Sequence, residues 1–189
     1  MDEWELVMQQ IADDLSSGHY EEALSKIVAS EALASEVDEH LIDLAELYFQ
    51  LGHVDESERI TDKLLQSPHK KIEALLIKVE IAVQRETWDE AIEWLEKARE
   101  MDADRPEILV ASADCYRAMG LPEVAIAYLE QLVDQQPLSP YNWLALGLTQ
   151  MENGQVHDAI QSLNRAYELD DQDADIAEQL AQALIKAGE

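Results

Sequence analysis

Five of the six glycines occupy the same position of a 34-residue period: Gly18, Gly52, Gly120, Gly154 and Gly188. The remaining position of this register is Glu86. A fixed period of this length is typical of repeat proteins, in which each repeat packs only against its neighbours. The chain is therefore expected to form a stack of similar units, and arrays of this kind present binding surfaces without carrying out chemistry of their own.

Dividing the sequence at this period without gaps gives one repeat domain over 1–189. Its five units are 4–37, 38–71, 72–105, 106–139 and 140–173, followed by a half unit at 174–189. The twentieth position of each full unit holds a small residue: Ala23, Ser57, Ala91, Ala125 and Ala159. Small side chains let two helix backbones approach closely, as an antiparallel helical hairpin requires. Each unit is therefore predicted to be a pair of helices.

Proline positions agree with this division. Pro106 and Pro140 are predicted to begin first helices, Pro122 lies where a second helix begins, and Pro68 and Pro137 follow second helices. Proline suits the first turn of a helix but costs about 3 kcal/mol in its interior. None of the five falls inside a predicted helix.

The fourth and fifth units contain residues that match a known repeat at its own spacing. They are Tyr116, Gly120, Ala125, Pro137, Trp143, Leu146, Gly147, Gly154, Ala159 and Ala166. In the second unit Leu44, Ala45, Tyr48 and Gly52 match as well. The sequence resembles the tetratricopeptide repeat family over nearly its whole length. The first unit, with Gln10 and Asp14, departs most from the family pattern, and the third lacks both the glycine and the aromatic residue.

The resemblance implies an all-α, right-handed superhelical solenoid of antiparallel helix hairpins, with about five full repeats and one extra helix. It also implies a non-enzymatic scaffold or adaptor whose first helices line a concave face that binds peptide segments of partner proteins. Carrying the family geometry over by position assigns the peptide-binding residues to the concave face. They are Met8, Ile42, Glu46, Phe49, Leu76, Glu80, Val83, Val110, Asp114, Arg117, Tyr141, Leu144, Leu148 and Met151.

The net charge constrains the partner. With 41 acidic residues against 13 Lys and Arg, the formal charge is −28. Such a field repels nucleic acid and anionic membranes and attracts basic partners. An acidic coat also keeps an open array soluble, so the charge alone does not establish a ligand.

The predicted concave face is an apolar stripe edged by carboxylates. A basic amphipathic helix, or an extended peptide that alternates leucine with lysine or arginine, would complement it. The alternative is that some of these residues, Phe49 and Met151 especially, pack between repeats. Family members that grip acidic chaperone tails use Lys and Asn at the fifth and ninth positions, whereas this chain has aliphatic residues such as Leu76 and acids such as Glu80 there. An acidic tail is therefore expected to be a poor ligand.

The sequence contains no catalytic, metal or cofactor motif. The five histidines never pair at metal-ligand spacing on one helix and are expected to be exposed turn residues. The Asp-rich run at 170–175 is expected to provide a helix N-cap and no calcium loop. Cys115 is expected to be a packed thiol, and a single cysteine suits a reducing, cytoplasmic location. No stretch of the sequence is predicted to span a membrane.

The half unit reads as another first helix over 174–187, ending at the position where a second helix should begin. We expect it to act as a cap or as a self-association edge, with the repeats continuing in a longer native protein. The second functional class is therefore a structural or assembly module that self-associates through exposed repeat ends, including this C-terminal helix.

Overall fold

The computed structural model describes residues 2–34, 37–67 and 71–188. Within these ranges the chain forms α-helices and no strand, which is the predicted all-α class. The helices are α1 (Glu3–Ser16), α2 (Tyr20–Ala34), α3 (Asp38–Gln50), α4 (Val54–Leu64), α5 (Lys71–Gln84), α6 (Trp88–Met101), α7 (Pro106–Ala118), α8 (Pro122–Gln135), α9 (Pro140–Glu152), α10 (Val156–Leu169) and α11 (Ala174–Ala187).

These helices belong to two compact units, Met1–Ala98 and Arg99–Glu189. In the first unit α1 packs on α2 and α3 on α4, while α2–α3 and α4–α5 contacts join successive hairpins. In the second unit α7 packs on α8 and α9 on α10, and the α8–α9 and α10–α11 contacts join them. Each unit is thus a stack of helical hairpins built from sequence neighbours. The assignment of 1–189 to one repeat domain stays a prediction.

Prolines mark the helix ends as expected. The helices α7, α8 and α9 begin at Pro106, Pro122 and Pro140, and Pro137 lies beyond the end of α8. Pro68, expected to follow a second helix, lies outside the described residues. A proline at the first helical position loses no hydrogen bond, because the amide there has no intrahelical acceptor.

The repeated glycines end the first helices in the left-handed conformation, with φ between 74° and 84°. Glu86 takes the same role in the third repeat, where it has a φ of 56°. Its amide donates to the Val83 carbonyl at 3.0 Å, and the Thr87 amide donates to the Ala82 carbonyl at 2.9 Å. The turn is therefore preserved without glycine, and the L-residue bears the strain of a positive φ.

Small residues bring the two helices of a hairpin together. All five residues at the twentieth position are fully buried: Ala23, Ser57, Ala91, Ala125 and Ala159. The Ser57 hydroxyl donates to the Ala45 carbonyl at 2.7 Å, a direct link between α4 and α3. At Gly147 the contact is closer still, since a Cβ there would lie 2.7 Å from Leu163 Cγ.

A buried lysine joins α5 to α4 in the first unit. The Lys78 side chain is 7% exposed and lies 2.9 Å from Glu58 and 2.5 Å from Asp62. Arg85 adds a second contact to Glu58 at 2.6 Å. Burial alone would lower the pKa of Lys78, but its bonds to Asp62 and Glu58 outweigh that effect and raise it. The bonds from Lys78 and Arg85 lower the pKa of Glu58. Both shifts favour the charged forms of Lys78 and Glu58.

Candidate protein-interaction site

The fourteen residues predicted for the concave face divide between the two units. Seven lie on α1, α3 and α5 of the first unit: Met8, Ile42, Glu46, Phe49, Leu76, Glu80 and Val83. The other seven lie on α7 and α9 of the second unit: Val110, Asp114, Arg117, Tyr141, Leu144, Leu148 and Met151. All fourteen are therefore on first helices of the repeats, and each unit carries its own part of the predicted face.

In the second unit α7 and α9 border a depression of about 200 Å³. Five predicted residues line it: Asp114, Arg117, Tyr141, Leu144 and Leu148. Since Pro106 and Pro140 begin the two helices one period apart, equivalent residues on them have the same helical phase. On α9, Tyr141, Leu144 and Leu148 follow the three- and four-residue spacing of a single helical face.

A carboxylate and a guanidinium lie on one wall of this depression. The Arg117 guanidinium lies 3.5 Å from Asp114 and 3.7 Å from Glu152. The Asp114 side chain is 63% exposed, yet the protein atoms around it partly desolvate the carboxyl. This desolvation raises the pKa of Asp114 despite the opposing charge of Arg117. The carboxylate on this wall is therefore water-accessible and paired with an arginine that sequence reasoning did not connect to Asp114.

The depression has further contacts that sequence reasoning did not find. Ala113, Leu129, Ala145 and Thr149 also line it, outside the positions that the family geometry assigns to the concave face. In the sequence, only their proximity to the predicted residues indicates that these four residues line the depression. The Tyr141 hydroxyl donates to Asp173 at 3.3 Å, and the charge of Asp173 raises the pKa of the phenol.

In the first unit the apolar members of the face are partly occupied by packing. Met8, Ile42 and Phe49 are half-buried against the core of that unit. Glu46 on α3 and Glu80 on α5 are exposed, and these two helices contact each other directly. Partial burial, with a smaller effect from Asp43, raises the pKa of Glu46. In the second unit Met151 likewise packs against a small core cluster. Phe49 and Met151 therefore contribute to the packing of their own units.

The described ranges contain no group of His, Cys, Asp and Glu side chains placed to hold a metal ion. Cys115 is fully buried, and burial raises the pKa of its thiol, as expected for a packed residue. Asp173 caps α11 by accepting from the amides of Asp175 and Ile176, which confirms the N-cap interpretation of the Asp-rich run.

The prediction of exposed turn histidines is wrong for His40. It lies on α3, and its ring stacks on Trp4 with the ring centres 4.1 Å apart. The reason is that Trp4 is buried and fixed by a 2.9 Å hydrogen bond from Nε1 to Asp43, so its face is available to His40. His69 lies outside the described residues.

No helix within the described ranges has the length and apolar character needed to cross a membrane.

Three family profiles described as tetratricopeptide repeat match residues 42–106, 82–147 and 140–173. The chain belongs to the tetratricopeptide repeat family. Members of this family are interaction scaffolds that bind protein or peptide partners and are generally non-catalytic. The match over 140–173 has the bounds of the fifth predicted unit.

Solved tetratricopeptide structures have the same fold. TTC0263, a thermophilic protein of Thermus thermophilus, matches with a TM-score of 0.78 and 19% identity, over 96% of this chain and 99% of its own. A tetratricopeptide repeat protein from Parabacteroides merdae matches with a TM-score of 0.77 and 19% identity, over 97% of this chain and 72% of its own.

A third match is the first tetratricopeptide domain of Spaghetti (RPAP3) bound to the HSP90 peptide SRMEEVD. It has a TM-score of 0.57 and 18% identity, and covers 64% of this chain and 95% of its own. Identities at this level establish the fold alone. Comparison with curated proteins gave no significant match.

Proposed function

We propose that this protein is a scaffold or adaptor that binds a basic, partly apolar peptide segment on its concave face. The observation that carries this proposal is the depression between α7 and α9, in which Leu144 and Leu148 form an apolar surface beside the Asp114 carboxylate. Lysine or arginine side chains of a ligand would pair with the carboxylate, while alternate apolar side chains would cover the leucines.

The charges of the chain support a basic ligand. The formal charge is −28, and acidic side chains at the ninth repeat position, Glu46 and Asp114, are exposed in both units. Long-range attraction of this kind speeds association with a cationic segment and weakens as salt is added. A cytoplasmic location, suggested by the single cysteine, is part of this proposal.

The same features disfavour an acidic ligand. The domain of Spaghetti (RPAP3) was solved with the peptide SRMEEVD, which carries adjacent glutamates and an aspartate. Here the fifth and ninth positions hold Leu76 and Glu80 in the third repeat. The ninth position of the fourth repeat holds Asp114, and the fifth position of the fifth repeat holds Leu144. None of these side chains offers a positive charge to an acidic tail, and Arg117, which lines the depression, is paired with Asp114 and Glu152.

The test uses two fluorescein-labelled decapeptides, one alternating leucine with lysine and the other alternating leucine with glutamate. Fluorescence anisotropy with the full chain is expected to show saturable binding of the lysine peptide and none of the glutamate peptide. The double variant Asp114→Lys, Glu46→Lys is expected to bind the lysine peptide about tenfold or more weakly, because electrostatic attraction becomes repulsion.

The matched control changes the charge by the same amount elsewhere. Glu96 and Glu100 are exposed on α6, a second helix, and Glu96→Lys with Glu100→Lys is expected to leave most of the affinity intact. Equal losses of affinity in both double variants would mean that the effect comes from net charge and not from these two positions. Binding that is insensitive to salt and to both double variants would refute the electrostatic part of the proposal.

Self-association through α11 is the second candidate function. Ala181 on α11 is exposed, whereas its equivalents one and two periods earlier, Gly147 and Ala113, are buried by their hairpin partners. Ile185 on the same helix is 76% exposed. Light scattering across concentration separates the two classes: a mass that rises with concentration, and returns to that of a monomer in Ile185→Glu, supports assembly.

A further inference from the structure

The repeats also form grooves on their other side, between successive second helices and above the first helix that separates them. In the first unit such a groove lies between α2 and α4 above α3, and in the second between α8 and α10 above α9. Because the two are three 34-residue periods apart, their positions correspond one to one. Tyr48 corresponds to Gln150, Glu31 to Val133 and Arg59 to Gln161.

Side chains bridge the groove of the first unit. The Arg59 guanidinium on α4 donates to both carboxylate oxygens of Glu31 on α2, each at 2.8 Å. The Tyr48 hydroxyl donates to Glu31 at 2.6 Å from below. The volume that remains is about 240 Å³. Here the facing second helices are tied together by side chains across the groove.

The equivalent positions of the second unit cannot make this bridge. Val133 carries no charge, Gln161 is a neutral amide in place of the arginine, and Arg165 forms its ion pair with Glu168 on its own helix at 2.9 Å. The groove between α8 and α10 has a volume of about 760 Å³. The helix order is the same in both units, whereas the side chains at these three corresponding positions differ.

The open groove has acidic walls and an apolar floor. Glu130 and Asp134 line it from α8, and Asp158 lines it from α10, all three of them exposed. Arg165 of α10 also lines the groove, and its charge is paired with Glu168. Leu146 and Trp143 of α9 lie at its base. The carboxylates on both walls can pair with cationic side chains, and the floor can receive their methylene stems.

A buried amide supplies an independent indication of a ligand. Gln150 lines this groove although it is only 6% exposed. Its Oε1 accepts a hydrogen bond from the Ser162 hydroxyl at 2.8 Å. Its Nε2 has no hydrogen-bond partner in the described part of the chain. Nε2 is not among the buried side-chain atoms of the described residues that lack a partner, so it is accessible from the groove, where a carbonyl oxygen of a ligand could accept from it.

We propose that the groove between α8 and α10 is a second docking site, which binds an extended basic segment of a partner protein. Lysine or arginine side chains pair with Asp134, Glu130 and Asp158, and a backbone carbonyl of the segment accepts from Gln150 Nε2. The site lies on different helix faces from the concave depression. It therefore does not depend on the concave site being a peptide site.

The probe is an acetylated decapeptide that alternates lysine with alanine, titrated into the ¹⁵N-labelled full chain. Its lysines match the acidic walls, while alanine offers little to the leucines of the concave depression. Saturable shifts are expected for the Trp143 indole N–H and the Gln150 side-chain amide. The double variant Asp134→Lys with Asp158→Lys is expected to raise the dissociation constant about tenfold or more.

Three further variants make the assignment specific. Asp114→Lys in the concave depression and the Glu96→Lys, Glu100→Lys pair are each expected to change the dissociation constant by less than about twofold to threefold. Gln150→Met keeps the bulk but removes the donor, and is expected to weaken binding about fivefold.

Defined results would overturn the proposal. They are the absence of shifts at Trp143 and Gln150, or equal weakening by the control pair and by the Asp134, Asp158 pair. Equal affinity of free spermidine and of the peptide would overturn the peptide assignment, since the polyamine has no carbonyl for Gln150. Retained amide dispersion in each variant verifies that it is folded.

Discussion

Glu86 bears a conformation that glycine adopts at five other turns of the chain, so Glu86→Gly should stabilise the protein. The φ of Glu86 is 56°, within the left-handed region. The side chain is exposed and has no partner among the described residues, so removing it breaks no contact. The turn hydrogen bonds use only backbone atoms and can remain unchanged.

The expected gain follows from two opposing effects. An L-residue in the left-handed conformation costs about 1–2 kcal/mol. Glycine in turn makes the unfolded chain more flexible, which costs about 0.4–1 kcal/mol. The net stabilisation is therefore about 0.5–1 kcal/mol. For a chain of about this size, 1 kcal/mol shifts the melting temperature by about 2–4 °C, so a rise of about 2 °C is expected.

Thermal unfolding followed by circular dichroism measures this shift, and hydrogen exchange at Thr87 reports the turn directly. Glu86→Ala is the control, because it removes the same side chain and keeps the strained φ. Asn tolerates the left-handed conformation better than Ala, so the expected order of stability is Gly, then Asn, then Ala. If the melting temperature of Glu86→Gly is no higher than that of Glu86→Ala, strain from the positive φ does not reduce the stability of this turn.

Three further predictions concern packing, pH and binding. Gly147→Ala should destabilise the protein by about 1 kcal/mol and lower its melting temperature, because the new Cβ would lie 2.7 Å from Leu163 Cγ and this crowding outweighs the gain in helix propensity. Combining it with Leu163→Val should recover part of the loss. The lowered pKa of Glu58 contributes stability that is present above the unfolded pKa of about 4.3 and is lost as the pH falls through the folded pKa. The melting-temperature difference between wild type and Glu58→Gln should accordingly be largest near pH 7 and shrink below about pH 4, and a constant difference would contradict the assignment. Leu144→Asp should weaken binding of the leucine–lysine decapeptide in the anisotropy assay less than Leu144→Lys does, because both variants lose apolar contact but the carboxylate adds attraction to lysine. The reverse order would argue against a cationic ligand.

Much of the fold could be predicted because its signals are local and repeated. Proline at the start of α7, α8 and α9, and a buried small residue at every twentieth position, follow from backbone geometry that recurs in each repeat. The glycine register placed Glu86 at a turn position, but the sequence did not predict that this L-residue adopts a positive φ.

The sites were less predictable because they depend on contacts between repeats. The ion pair between Arg117 and Asp114 depends on side-chain rotamers, which the sequence does not give. The open groove beside Gln150 has no ion pair across it at Val133 and Gln161. His40 was misjudged because its environment is set by Trp4, which lies on a different helix. Side-chain networks of this kind vary from repeat to repeat and leave no periodic trace in the sequence.

The helix α9 contributes to both proposed sites, with Tyr141, Leu144 and Leu148 on one side and Trp143, Leu146 and Gln150 on the other. Two ligands held at once would be separated by the thickness of one helix, about 10 Å. A partner that carries both segments would bind bivalently, with the second contact formed at high effective concentration. Two separate partners would be joined into a ternary complex, and any shift of α9 caused by one would be felt by the other.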